Sequence, residues 1–510
     1  MSNKIIPTVI VPGIGQSKVD LIDDNGNKTG SAWPLHFDTE ALIKDIKGSL
    51  MKMMILRRDA GFTDKLLEFL GKATKPIACD NEGNKVMKCR VVSYPQSVKD
   101  CSPEDRAYIY RMVPLEALGE VIGEENLYFF AFDAFVAPYE NARLLDEFIQ
   151  MVKKNTGSDK VNLVAVSLGG AVSVAYLDAY GHKGDIHRVV NFVAALDGSR
   201  IAGDIFTGRV DLESLDSFLA FLIGGNGGKV ADLMKLLPKD VPKKLAQKLL
   251  LESLPGFLSK SLSMLSLIPL SQYEEAREKW LMGEEAAYRR EMSDKYQNAR
   301  RNYRDTVKKL EAQGVKFFNL CGYGLPLIDF IESKNESSDA VINISSTSIG
   351  ATSAPVGETF PDGYTPANPD IENAEQFISP DRTIDATTCL LPERTWFFRN
   401  QVHDDIAYND VALEIAKKIL SEDEFDSVFS DPRYPQFNGS RNIRKIKYNL
   451  MPKAKSADRS KLSPEQVQAL DEAIAYTEAM LANTIIVDNS EAKKAEEKLQ
   501  AALAPLEEKK

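Results

Sequence analysis

Six short apolar runs, separated by amphipathic helical patterns, constrain this chain more than any other feature of its sequence. They are TVIVPG (8–13), NLYFFAF (126–132), VNLVAV (161–166), VVNFVAAL (189–196), VKFFNLCG (315–322) and RTWFFRN (394–400). Each is apolar nearly throughout instead of alternating, the pattern of strands buried on both faces of a parallel sheet. Leu144, Leu145, Phe148, Ile149 and Val152 form a helical stripe ahead of VNLVAV, and VALEIAKKIL (411–420) follows the last strand. Strands alternating with amphipathic helices predict an α/β fold, a mostly parallel sheet with helices on both sides.

A chain of 510 residues is too long for one compact core. The alternation assigns residues 1–202 and 315–430 to the sheet domain, with an insert over about 33–121 that includes the hairpin-like IACDNEGNKVMKCRVV. Residues 203–314 read as a leucine-rich helical insert. It is a subdomain with its own core, and also suited to be a cap whose apolar inner face takes a lipophilic substrate and touches a lipid surface transiently. Residues 431–462 read as linker. Ser463-Pro464-Glu465-Gln466 is then a capping box with proline at the first helical position. Val467, Leu470, Ile474, Thr477 and Leu481 share one face of that helix, and Leu499, Leu503 and Leu506 line a second. A helical hairpin over 463–510 is too small to be stable alone and must dock on the core or on a protein partner.

Composition excludes several classes of function. A formal net charge of -11 is the wrong sign for a nucleic-acid binder, which must neutralise phosphates. MSNKIIPTVIVPG is neither a signal peptide nor a span, so the expected compartment is the cytoplasm. The most apolar later run, SLSMLSLIPLSQY (261–273), is short of the roughly 18 apolar residues a membrane helix needs. Five cysteines (Cys79, Cys89, Cys101, Cys321, Cys389) show no CxxC or Cys/His ligand spacing, so no metal is expected and the thiols read as reduced. Cys79 and Cys89 flank the turn DNEGN and are placed to face each other across a hairpin. GGNGGK (224–229) is followed by Val230 where a phosphate loop needs Ser or Thr, and reads as a loop.

The chemistry rests on LVAVSLGGA (163–171). Ser167 ends a buried strand and opens a helix, with Ala165 two residues before it and Gly169 two after. Small residues at both places are what a sharp strand-to-helix nucleophile turn requires. A plain helix-capping serine needs no particular neighbours. A serine hydroxyl needs a base to take its proton, and the chain has 4 histidines: His36, His182, His187 and His403. His182 and His187 follow directly on the helix after Ser167 and should point away from it, while His36 lies early in an insert. His403 lies between the last strand and the last helix, where this fold presents its base. The third member is an acid on a loop after a late strand, which holds the imidazole in the right tautomer. Asp339 is favoured, with Asp197 the alternative acid and Asp329 less suited because it sits in an apolar run. The oxyanion-binding amides are expected from Leu168 and from the turn VPGIGQS, at Ile14 with Gly15 a close second.

IVPGIGQS, NLYFFAFDAFVAP, NLVAVSLGG, NLCGYGLP, SSDAVI and QVHDDIAYNDVALEIA occur in an order that resembles the lecithin:cholesterol acyltransferase-like, lipase-like α/β-hydrolases over residues 5–202 and 315–420. The resemblance implies a cofactor-free serine lipase, phospholipase or acyltransferase with helical caps. Ser167 would be its nucleophile, Asp339 its acid, His403 its base and the turn at Ile14 part of its oxyanion site. The family usually has His where this chain has Val166, and tends to Pro-Gly where it has Asp197-Gly198, which leaves the substrate class open. The expected activity is hydrolysis of carboxylic esters, lipidic ones foremost, through an acyl-enzyme. Acyl transfer to another alcohol and a catalytically silent binding protein on the same scaffold are the alternatives.

Overall fold

The computed structural model describes residues 5–35, 39–214, 238 and 240–507. His36 and the GGNGGK stretch lie outside the described residues.

Twelve strands occur among these residues: β1 (Thr8–Val11), β2 (Val19–Ile22), β3 (Lys28–Trp33), β4 (Cys89–Val91), β5 (Leu127–Phe129), β6 (Val161–Val166), β7 (Ile186–Phe192), β8 (Lys316–Tyr323), β9 (Thr352–Ser353), β10 (Ile384–Asp385), β11 (Thr395–Arg399) and β12 (Phe437–Gly439). Seven of them form one sheet in the order β12-β11-β8-β7-β6-β1-β5, and every neighbouring pair is parallel. All six apolar runs contribute to it. The expected parallel α/β architecture is therefore the one that forms.

The period-two geometry of a strand sends successive side chains to opposite layers. Val9, Val11, Val161 and Leu163 enter one core with the helices Pro138–Thr156 and Gly169–Tyr180. Ile10, Val164, Val190, Phe318 and Trp396 enter the other, with Ile109, Leu118 and the helix Asp410–Ser421. Part of the expected first insert is thus a layer of the sheet domain. The helices Pro103–Met112 and Glu116–Ile122 close that second face.

The leucine-rich insert divides. Residues of 262–310, among them Leu262, Leu265, Ile268, Tyr296, Val307 and Leu310, pack into the first core against Ala171, Val172 and Ala175. They form a helical layer on the sheet, and Leu267 and Leu270 also meet the loop after β7 through the Ser199 amide and the Asp197 carboxylate. Leu245, Ala246, Leu249 and Leu250 instead join Ile201, Ile205, Leu327 and Phe330. Val241 joins Met53 and Phe62 of the helices Thr39–Leu56 and Phe62–Thr74.

Two local expectations are corrected. Cys79 and Cys89 do not oppose each other: Cys79 bridges Lys85, while Cys89 pairs with Leu21 across β2 and β4. The stretch 431–462 is ordered: it supplies β12, a π-helix Ile446–Leu450 and a helix Met451–Lys455. Ile446, Leu450, Met451 and Ala454 share a core with Leu470, Leu499 and Leu503 of the helices Pro464–Ala482 and Ser490–Glu507. The capping box at Ser463 and Gln466 forms.

Arg441 joins this C-terminal body to the sheet domain. Its buried guanidinium donates to both carboxylate oxygens of Asp410 (2.8 and 2.6 Å) and to the carbonyls of Met480 and Asn483 (both 2.7 Å). It therefore neutralises one carboxylate and caps the carboxyl end of the helix Pro464–Ala482. Among the described residues no helix is long and apolar enough to cross a membrane.

Candidate active site

The carboxyl ends of β1, β6, β8 and β11 converge, the edge at which open parallel sheets present their chemistry. Ser167 follows β6 directly and has φ 53°, a left-handed conformation that a non-glycine residue adopts only when its surroundings impose it. The Ser167 amide donates to the Phe192 carbonyl (3.2 Å) and its carbonyl accepts from Ala195 (2.9 Å), so the end of β7 holds the turn. The small neighbours have a steric reason. A Cβ on Gly169 would stand 2.2 Å from the Val11 carbonyl oxygen, and one on Gly170 would stand 2.8 Å from the Ala194 Cβ.

His403 lies in the 3-10 segment His403–Tyr408 beyond β11. Its Nε2 is 2.9 Å from the Ser167 Oγ, and its Nδ1 is 2.7 Å from the Asp339 Oδ2. Asp339 is fully buried, and its Oδ1 accepts from the amides of Val341 (3.0 Å) and Ile342 (2.7 Å). With Oδ1 taken up by the two amides, Oδ2 is the acceptor that Nδ1 faces, so Nδ1 carries the proton and Nε2 is left to accept from Ser167. Burial pulls the His403 pKa down, but the adjacent Asp339 charge, its hydrogen bond and Asp404 outweigh it, and the net shift is upward.

Gly322 has a part that the sequence did not show. A Cβ there would be 2.7 Å from the Asp339 Cβ and 2.8 Å from the Gln401 carbonyl oxygen, so a larger residue would displace the acid. Gly13 likewise sits under the serine, where an added Cβ would meet the Ser167 Cβ at 3.0 Å.

Among the described residues the amides of Ile14, Gly15 and Leu168 carry no hydrogen bond, and Ile14 and Gly15 lie at the mouth of the site. The Gly13 amide is occupied by the Gln16 Oε1 at 2.5 Å. Gln16 also donates from Nε2 to the Met112 carbonyl (2.7 Å), which fixes the turn against the end of the helix Pro103–Met112.

The remaining candidates are engaged elsewhere. Asp197 is ion-paired with Arg300 and accepts from the Leu270 amide (3.1 Å). Asp197 therefore anchors the helix Ala287–Arg301 to the loop after β7. His187 bonds through Nδ1 to Asn162 (3.0 Å), and burial pushes its pKa down to about 4. No cluster of His, Cys, Asp or Glu suited to a metal ion occurs among the described residues.

Ser167 and His403 open into a cavity of about 450 Å³. Its walls include Met112, Val113, Pro114, Leu115, Ile406 and Tyr408, with Arg111 and Arg444 also on the lining. None of the described residues of 203–314 lines it. The walls come from the helices at 103–122, from the segment after His403, and from the C-terminal body. Sequence patterning missed them because their contact with the site is made across the fold.

No protein-family model and no curated protein sequence matches this chain. Among solved structures, a chain from the crystal structure of a Tle4-Tli4 complex is 11% identical, with 81% of this chain and 98% of that chain covered and a TM-score of 0.37. A lipase-esterase related protein from Clostridium acetobutylicum is 14% identical, with 36% and 87% covered and a TM-score of 0.16.

Proposed function

We propose that this protein is a serine esterase that hydrolyses carboxylic esters through an acyl-enzyme on Ser167. The observation that carries this reading is the hydrogen-bonded series from the Ser167 Oγ to His403 Nε2, and from His403 Nδ1 to the buried Asp339 carboxylate. The three groups have the roles that activate a hydroxyl at neutral pH. The Ser167 Oγ attacks the ester carbonyl carbon while His403 Nε2 takes its proton. The Leu168 and Ile14 amides, which have no other partner among the described residues, stabilise the oxyanion, with Gly15 beside them. Collapse of the tetrahedral intermediate breaks the bond to the alcohol oxygen, which leaves with the proton from His403. Water then attacks the acyl-enzyme by the same route in reverse, which frees the acid and restores the serine.

The apolar wall from Met112 to Leu115, with Ile406, gives an acyl chain a surface to lie on. Leu262, Leu265, Leu281 and Leu310 do not line that cavity and are buried in the core beneath the sheet.

The test is labelling with a fluorophosphonate, followed by mass-spectrometric location of the adduct, with Ser167→Ala as control. Stoichiometric labelling at Ser167, absent in the variant, together with turnover of 4-nitrophenyl esters, is the expected result. A folded protein that neither labels nor turns over any ester overturns the reading.

A further inference from the structure

Arginines in this protein are almost all engaged. Arg57, Arg58, Arg111 and Arg444 are the ones whose guanidinium has neither an ion pair nor a hydrogen bond among the described residues, and the last two both line the cavity at Ser167. An arginine is the residue of choice for binding a carboxylate or phosphate with paired donors. Both stand in one cavity with the candidate nucleophile, where their donors make no ion pair or hydrogen bond among the described residues.

Each is held by an aromatic ring. The Arg111 guanidinium carbon is 5.5 Å from the centroid of Tyr108, and that of Arg444 is 4.6 Å from the centroid of Tyr408. A guanidinium attracted to a ring keeps its N–H donors open to a ligand. Asp404 and Asp405 share the lining, so two carboxylates stand in the same cavity as the two guanidiniums. Asp405 accepts from the Asn442 Nδ2 at 2.8 Å, Asp404 adjoins His403, and no ion pair joins either acid to either arginine among the described residues.

We propose that Arg111 and Arg444 bind an anionic group of the substrate, so that the preferred esters carry a carboxylate or a phosphate away from the scissile bond. This rests on Ser167 being the nucleophile. It also gives the C-terminal body a purpose. Arg444 is carried into the cavity by the segment that Arg441 and Asn442 tie to Asp410 and Asp405, so the body completes the substrate site. A second hollow, of about 620 Å³, shares Arg444 with this cavity and is lined also by Lys445, Asn449, Lys493, Glu496 and Glu497.

The experiment compares two ester pairs on the full-length enzyme. 4-Nitrophenyl pentanoate and mono-4-nitrophenyl glutarate differ only in a terminal methyl or carboxylate. A monoacylglycerol and the same monoacylglycerol 3-phosphate place the charge on the alcohol side. A charge-assisted contact should favour the anionic member of one pair by about tenfold or more in kcat/KM. Preference in the first pair puts the bound group on the acyl side and carries a carboxylate; preference in the second puts it on the alcohol side and carries a phosphate. Arg111→Gln and Arg444→Gln should each reduce that ratio, mainly through KM, Arg444→Lys should restore part of it, and Arg58→Gln should not alter it. No preference in either pair, in enzyme that labels at Ser167, overturns the proposal while sparing the esterase reading. Absence of both labelling and turnover overturns that reading, and this one with it.

Discussion

His403 and Asp339 are joined twice. The His403 Nδ1 lies 2.7 Å from the Asp339 Oδ2, and the His403 amide donates to the Asp339 backbone carbonyl at 2.9 Å. The side-chain bond sets the tautomer, and the backbone bond sets where the imidazole starts.

Asp339→Asn separates these two functions. It keeps the backbone tether but offers Nδ1 a neutral amide that no longer enforces the tautomer. Ester turnover is expected to fall by about 10³–10⁴ in kcat with little change in KM, while the thermal midpoint stays close to that of the parent. Steady-state kinetics beside a melting curve checks both, and a variant of near-normal kcat would remove Asp339 from the mechanism.

The pH profile follows from the His403 environment. Its pKa is raised above the ordinary 6.5 because Asp339, with Asp404, outweighs the effect of burial. The base must be neutral to accept the serine proton, so kcat/KM should climb through an apparent pKa above 6.5. Asp404→Asn should move that limb to lower pH without abolishing activity. An acid limb below the ordinary imidazole value would contradict the assignment of His403 as base.

Gly169→Ala tests the tight turn sterically. Its new Cβ would stand 2.2 Å from a backbone oxygen, whereas a Cβ on Gly15 would meet nothing within 4 Å. Overpacking commonly costs about 1–3 kcal/mol, and a backbone neighbour cannot rotate away. The expected outcome is a lower thermal midpoint and loss of fluorophosphonate labelling for Gly169→Ala, with Gly15→Ala close to the parent in stability. Equal behaviour of the two variants would mean the turn tolerates a side chain.

Arg441→Ala removes the partner from a largely buried Asp410 and the donors from two helix-end carbonyls. Breaking such a pair from one side costs about 3–5 kcal/mol, mostly as an uncompensated charge. Limited proteolysis should cut between the sheet domain and the C-terminal helices well below the main melting transition. Arg441→Ala with Asp410→Asn should be less destabilised than Arg441→Ala alone. If the double variant were the worse of the two, the buried charge would not be the cause.

Six of the seven strands of the main sheet were legible because burial on both faces leaves a run with almost no polar residue, as in VNLVAV. The small antiparallel sheet β3-β2-β4 was not. KTGSAW is exposed at Lys28 and Thr29 and fully buried only at Ala32, so no apolar period marks it. The edge strand β12 is only Phe437–Gly439, and its neighbours read as linker. It pairs in parallel with β11, while the Gly439 amide reaches the Ile486 carbonyl (2.6 Å) and the Asn438 Oδ1 receives the Ile486 amide (2.6 Å), all contacts with segments far from it along the chain. The leucines of the second insert are another such case. Leucine at helical spacing says that a face is buried, but not against what, and for residues 262–310 the answer is the helix layer beneath the sheet.

Ser167 as candidate nucleophile needed nothing beyond the local run of residues. A strand, a serine and small residues on both sides are all within one turn of each other, and their steric logic is local. The two acids were a different matter. Asp197 and Asp339 each follow a strand in an acceptable place, and no periodicity tells them apart. What separates them lies across space: Arg300 against Asp197, and Gly322 making room for Asp339 beside His403. The arginines of the cavity are the same kind of case, because Arg111 and Arg444 become neighbours of Ser167 only after the helices at 103–122 and the C-terminal body have packed. Patterning along a chain reports which faces are buried, whereas the partner of a charge depends on distances that only packing sets.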